Sequence, residues 1–180
     1  MKGIVFTEFL EMVEDSFGLE TVDAIIENSN LNSEGIYTAV GTYDFNEMVC
    51  LITSLSKEVK TPINDLIYTF GLYLFKSLGS AHPEVIKSYN SPLGLLYSIE
   101  DHIHVHVKKL YPDAELPTFK ILEKTDTSIS MVYSSSRGLY RLAHGLIEKC
   151  FEHFNGSATI SYELLKEDGT EVKFDVIQNE

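Results

Sequence analysis

The sequence predicts an α+β fold: a mainly helical N-terminal part, then a small four-stranded antiparallel sheet with one packed helix in the C-terminal part. Two observations predict it. Apolar residues recur at helical spacing through the first two thirds of the chain. The last third carries β-rich runs joined by polar turns, interrupted by one further helical stripe. The 180 residues suit one domain over positions 1–180 with a sizeable core. No internal repeat, linker or low-complexity tract divides them.

The elements follow in order. Phe6, Phe9, Leu10, Val13 and Phe17 share a helical face, and Gly18 ends that helix. A second short helix runs from about Glu20 to Glu27. Asp44-Phe45-Asn46-Glu47 has capping-box spacing and opens a helix through Met48, Leu51, Ile52 and Leu55. Thr61-Pro62 pairs an N-cap with a proline at the first helical position. The helix it starts carries Leu66, Ile67, Phe70, Tyr73, Leu74 and Leu78, a wide apolar face expected to be deeply buried. Ser91-Pro92 begins another helix, expected to run unbroken to about Leu110, with Pro112 closing it.

Strands are expected from about Thr118 to Glu123 and Ser128 to Ser135, joined at Lys124-Thr125-Asp126-Thr127. From about Leu139 to Phe154, the stripe Leu142, Ala143, Leu146, Ile147, Cys150 and Phe151 fits a helix that Asn155-Gly156 terminates. A final hairpin, about 158–165 and 171–177, turns at Glu167-Asp168-Gly169.

Composition excludes several function classes. The net charge of −13 repels phosphate backbones, so nucleic acid is not an expected partner. The longest apolar stretches are far shorter than a membrane span, so no membrane association is expected. The start, Met1-Lys2-Gly3-Ile4, runs into Glu8, Glu11, Glu14 and Asp15, an amphipathic helix and not a signal peptide; a cytoplasmic location is the expectation. Cys50 and Cys150 form no C-x-x-C or C-x-x-C-H motif, which leaves a zinc ribbon unsupported and excludes c-type haem attachment. Both thiols are expected to be reduced and buried.

Two local features carry chemistry. In Tyr133-Ser134-Ser135-Ser136-Arg137, an extended backbone puts Tyr133, Ser135 and Arg137 on one face. Two hydroxyls and a guanidinium fork make a receptor for carboxylate or phosphate oxygens. The bland alternative is an arginine paired with a surface carboxylate. The second feature is the run Asp101-His102-Ile103-His104-Val105-His106-Val107. As a strand it would put three histidines on one face, like a metal site. The stripe Leu96, Ile99, Ile103, Val107 and Leu110 favours a helix instead, with His104 beside Leu93, Leu96, Tyr97 and Val107, and His102 and His106 nearer solvent. His104 is then either a satisfied core histidine or a ligand to a buried metal. The His102/His106 pair lacks a supporting zinc motif.

Together the two features match the needs of non-covalent haem b: a neutral imidazole for the iron and polar donors for two propionates. With Tyr111-Pro112 closing the histidine helix, Pro117 soon after, and Gly145-Leu146-Ile147 beyond the Tyr-Ser-Arg motif, the whole chain resembles the H-NOX (haem-nitric oxide/oxygen binding) family. The resemblance implies a domain enclosing haem b, with His104 as proximal iron ligand, Tyr133, Ser135 and Arg137 on the propionates, and Pro117 packed against the porphyrin. It implies a distal gas pocket of Val5, Phe9, Leu74 and Leu142. Family members that hold O₂ carry a tyrosine where this chain has Leu142, and Tyr140 should point about 160° away from that face at roughly 100° per residue. The implied sensor is therefore a ferrous, five-coordinate haem binding NO, and CO, in preference to O₂.

The implied output is a switch. Gas binding weakens the bond to His104, its helix shifts, and relaxation against Pro117 moves the N-terminal helices. No kinase, cyclase or G-x-S-x-G motif is visible, so the chain is expected to be no enzyme. It would signal to a sensor histidine kinase, or to a diguanylate cyclase or phosphodiesterase. The rival readings are a haem enzyme of peroxide or NO chemistry, and a carboxylate-binding module without metal.

Overall fold

The computed structural model describes residues 1–179. Helices α1 (Gly3–Phe17), α2 (Leu19–Glu27), α3 (Phe45–Val59) and α4 (Ile63–Ala81) build the N-terminal part. The short α5 (Pro83–Lys87) and α6 (Pro92–Tyr97) lead to a π-turn at Ile99–Ile103 and to α7 (His104–Leu110). Strands β1 (Thr118–Lys124) and β2 (Ser128–Ser134) precede α8 (Tyr140–His153), and β3 (Ala158–Leu164) and β4 (Glu171–Gln178) follow it. The sheet is antiparallel throughout, in the order β1-β2-β4-β3. Among the described residues no helix is long and apolar enough to cross a membrane.

Local sequence explains most boundaries. Gly18, at φ 89°, breaks α1 from α2 where a side chain would be strained. Asp44 caps α3 by accepting from Asn46 N. The expected capping box is not completed, because Glu47 turns inward and accepts from Ser33 and Tyr37. α4 starts one residue later than expected: Pro62 is its cap, accepting from Leu66 N, and Thr61 bonds back to Val59 O. On α4, Leu66, Phe70 and Leu74 are buried, whereas Leu78 at the far end is exposed.

The apolar side chains form two cores. The helical core gathers Phe6, Phe9, Met12 and Val13 of α1 with Ile25, Met48, Leu51, Leu55, Phe70 and Leu74. The sheet core gathers Phe119, Ile129, Met131, Tyr133 and Phe174 with Ile147 and Phe151 of α8 and Leu93 and Leu96 of α6. Helices α4 and α8 join the two. A Cβ on Gly71 would meet Leu142 O at 2.4 Å, and one on Gly145 would meet Tyr68 O at 2.3 Å. Only glycine at both positions lets the two backbones touch.

One expected element is absent as such. The helix from Ser91 to Leu110 is not continuous: between α6 and α7 the backbone widens into the π-turn, with Ile103 N bonded to Ser98 O. Leu96 of the expected stripe is buried and Ile99, Ile103 and Val107 are partly buried, but one extra residue in the turn rotates what lies beyond it relative to an extrapolated α-helix, and Leu110 is exposed. The thiols are free, with Cys150 buried as expected but Cys50 only half-buried.

Candidate haem site

The π-turn sets the geometry at His104. It places Glu100 so that one carboxylate oxygen lies 3.2 Å from His104 Nδ1 and accepts from Phe119 N at 2.7 Å. Glu100 thus fixes the imidazole against the first strand. With Nδ1 bonded to a carboxylate, Nε2 is the nitrogen left to act as a ligand, the usual arrangement behind a metal-binding histidine. Burial lowers the pKa of His104, against the pull of Glu100, so the ring is held toward its neutral, ligating form. Its ring lies 6.1 Å from that of Phe119, which lies 5.6 Å from that of Tyr133.

The other histidines do not join it. His102 is exposed, with Nδ1 2.5 Å from the Tyr89 hydroxyl. His106, expected near solvent, is half-buried and faces His82, because the π-turn has rotated α7. The three-histidine face and the His102/His106 pair are therefore both absent. Tyr97, expected beside His104, is instead exposed beneath the Lys124 ammonium, 3.9 Å from its ring centroid.

The Tyr-Ser-Arg motif is brought together differently from the expectation. β2 ends at Ser134, and the chain turns at Ser135–Arg137, with Arg137 N bonded to Ser135 Oγ. An extended strand therefore does not align the three side chains; a strand end and a turn do. Tyr133 is buried in the sheet core, which raises its pKa, with Ser135 and the Leu139 backbone holding it partly back. Gly138, at φ 61°, lets the turn press against Asp168 O, 2.8 Å from where a Cβ would stand. The Arg137 fork is closed on Glu115: Nη1 donates to its backbone oxygen at 2.9 Å and Nη2 to its carboxylate at 2.5 Å. Glu115 is 80% exposed. Its carboxylate shows what the fork takes, and an exposed partner of this kind gives way at little cost. Pro117 is half-buried and stands directly before β1.

The residues expected at the gas pocket lie in the helical, apolar part of the molecule. Val5 of α1 and Leu142 of α8 border one small cavity of about 10 Å³ with Met1, Phe70 and Leu139. Phe9 and Leu74 lie deeper in the same helical core, Phe9 edge-on to Phe70 at 5.3 Å. None of the four side chains carries a hydrogen-bond donor. Tyr140 points to the sheet, its ring 5.2 Å from Tyr162, as its helical phase requires. A larger cavity of about 170 Å³ lies beside Arg137, walled by Phe45, Ile52, Ile63, Ile67 and Leu139.

The donor set fits haem: an imidazole oriented by Glu100 whose pKa burial lowers, a guanidinium already gripping a carboxylate, and an apolar helical core. Sequence reasoning missed Glu100 and Glu115. The i, i+4 spacing of Glu100 and His104 was the one available signal for the first; nothing local marks the second.

Residues 2–162 match the family model described as haem-NO-binding. Among solved structures, the chain is similar to the Fe(II) unliganded H-NOX protein from K. algicida, at 53% identity and a TM-score of 0.96, over 100% of this chain and 97% of that one. An H-NOX protein from S. oneidensis in the Fe(II)NO ligation state is 26% identical with a TM-score of 0.92, both chains being covered completely (100%). The IWP-051-bound H-NOX from Shewanella woodyi in the Fe(II)CO ligation state is 40% identical with a TM-score of 0.85, over 99% of this chain and 95% of that one. Comparison with curated proteins finds no match.

Proposed function

Because this chain belongs to the haem-NO-binding (H-NOX) family, whose members bind haem and act as gas sensors and not as enzymes, we propose that it is a sensor of nitric oxide built as a single domain over residues 1–180. It holds haem b non-covalently, with His104 Nε2 on the iron, Tyr133, Ser135 and Arg137 on the propionates, and Pro117 against the ring. The observation that carries this reading is His104 itself: partly buried, which lowers its pKa, and fixed through Nδ1 by Glu100, which leaves Nε2 as the ligating nitrogen. Val5, Phe9, Leu74 and Leu142 offer bound gas no hydrogen bond. NO needs none on ferrous iron, whereas polar O₂ gains from one, so the pocket favours NO and CO.

Haem bound here would supply a ferrous iron able to take a gas ligand, with His104 Nε2 as the protein group that would hold it. The protein does the rest. α7 begins at His104 and leads into the 111–117 segment, which carries Asp113, Glu115 and Pro117. Lys2 Nζ bonds Asp113 at 3.0 Å and Val40 O at 2.8 Å, and the terminal ammonium bonds Tyr43 O. Movement of α7 thus has a polar route to the N-terminal helices through Lys2. The receiver is a separate histidine kinase or a cyclic-di-GMP enzyme.

Absorption spectra of the purified protein, with and without dithionite, NO, CO and air, test the reading. A ferrous five-coordinate spectrum that shifts with NO and CO, but gives no stable oxy form in air, is expected. His104→Gly should retain haem only when imidazole is supplied. A colourless protein whose carboxylate-ligand binding survives His104→Ala would instead favour the metal-free module, and peroxide turnover would favour the enzyme.

A further inference from the structure

One group of side chains has no part in the site above. His82 stands at the junction of α4 and α5, Glu84 lies two residues on in α5, and His106 projects from α7. One ligand atom from each lies within 4.8 Å of the others. His82 Nδ1 is 3.7 Å from a Glu84 carboxylate oxygen, and the His82 and His106 rings meet edge to face with centroids 5.7 Å apart. The independent observation is His106 Nε2, which is buried and has no hydrogen-bond partner among the described residues. Buried polar atoms are nearly always partnered, so this nitrogen calls for an occupant.

We propose that His82, Glu84 and His106 form a second metal site, which takes a divalent transition cation, zinc foremost. Two imidazoles and one carboxylate are the donor set of zinc centres that keep their fourth position open. Hard cations such as calcium and magnesium want all-oxygen shells and are disfavoured here. Tetrahedral bonds of about 2.0–2.1 Å put ligand atoms roughly 3.4 Å apart, so the group must draw in slightly. It has the freedom to do so: the Glu84 side chain is 65% exposed and that of His82 is 35% exposed, whereas His106 supplies the fixed inner donor. The exposed pair is also the route by which the cation enters.

The position gives the cation a consequence. It would pin α7 to the α4–α5 corner, two residues from His104. On the reading of His104 as iron ligand, zinc would then slow the movement that gas binding sets off.

The test uses untagged, haem-loaded protein treated with a mild chelator and then titrated with Zn²⁺ by calorimetry. X-ray absorption at the zinc edge reads the zinc shell apart from the iron. We expect one zinc per chain in a shell of nitrogen and oxygen donors with two imidazoles. His106→Ala and Glu84→Gln should each weaken binding by at least about tenfold, while His102→Ala, on the exposed neighbour, leaves it intact. Glu84→Gln changes only an exposed side chain, so it stays informative if His106→Ala fails to fold. No stoichiometric binding, a shell lacking imidazole, or unchanged affinity in Glu84→Gln overturns the proposal. The zinc readout does not depend on haem, so a colourless protein that still takes one zinc refutes the gas-sensor reading and leaves the metal site standing.

Discussion

The helical side of the candidate site and its sheet side are built on opposite plans. The helical side, with Val5, Phe9, Leu74 and Leu142, is defined by packing and contains no donor among those four side chains. The sheet side holds the imidazole, the hydroxyls and the guanidinium, each with a specific polar partner: Glu100 for His104, the Leu139 backbone for Tyr133, Arg137 N for Ser135 and Glu115 for Arg137. The difference teaches how a sensor can divide its labour. On the gas-sensor reading proposed above, polar groups positioned by hydrogen bonds would fix the cofactor, while a wall positioned by dispersion and burial would select the gas by what it withholds. α4 and α8, in contact through Gly71 and Gly145, hold the two sides together.

The sharpest way to break this division is Leu142→Tyr, which would put a hydroxyl on the apolar wall. The expected result is a stable oxy spectrum in air, where the unsubstituted protein gives none. If the wall stays blind to O₂, then hydrogen bonding is not what it withholds.

The joint between the sides comes next. In Gly145→Ala the new methyl would meet backbone atoms, Tyr68 O at 2.3 Å and Leu72 N at 2.9 Å, which cannot swing aside. Overpacking of this kind should cost about 1–3 kcal/mol, measured by urea unfolding. No loss would mean that the helices slide freely past each other.

A smaller effect reads the burial of α8. Burial pushes the Cys150 thiol from its ordinary 9.0 up to about 12. The unfolded chain therefore releases this proton first. Stability from Cys150 is full below pH 9.0 and is lost as pH rises toward 12. At pH 10 the loss should be on the order of 1 kcal/mol, taken as the difference between this protein and Cys150→Ala. An equal pH dependence in the two would remove the thiol from the account.

The smallest effect is expected on the polar side. Glu115→Ala removes a partner that is 80% exposed, so unfolding free energy should change by less than about 1 kcal/mol. Haem retention should be undiminished, since the Arg137 fork is freed and not lost. Weakened retention would give Glu115 a positioning role.

Much of the fold was legible because it rests on local patterning. The α1, α3 and α8 stripes, the four strands and Gly18 are set by periodicity and backbone sterics within a few residues. The site residues were legible only as types. That Tyr133 is buried follows from strand alternation. Where Arg137 points does not, because the strand ends at Ser134 and a turn pinned by Asp168 and Thr170 takes over. The π-turn was invisible for the same reason: its sequence reads as ordinary helix, and Glu100, inside it, finds its partner at Phe119, on a strand beyond the next loop.

By itself, then, the sequence determined most of the helices and all four strands, that an imidazole run and a Tyr-Ser-Arg run stand at fixed spacing, and that Leu142 carries no hydrogen-bond donor. Those are properties of residue type and near-neighbour spacing. Only the tertiary structure decided that His104 and not His106 lies beside Phe119, that Glu100 reaches its Nδ1, that Glu115 closes the Arg137 fork, and that His106 meets His82. Each depends on one extra residue in a helical turn or on partners brought together from distant parts of the chain, and no local pattern records either.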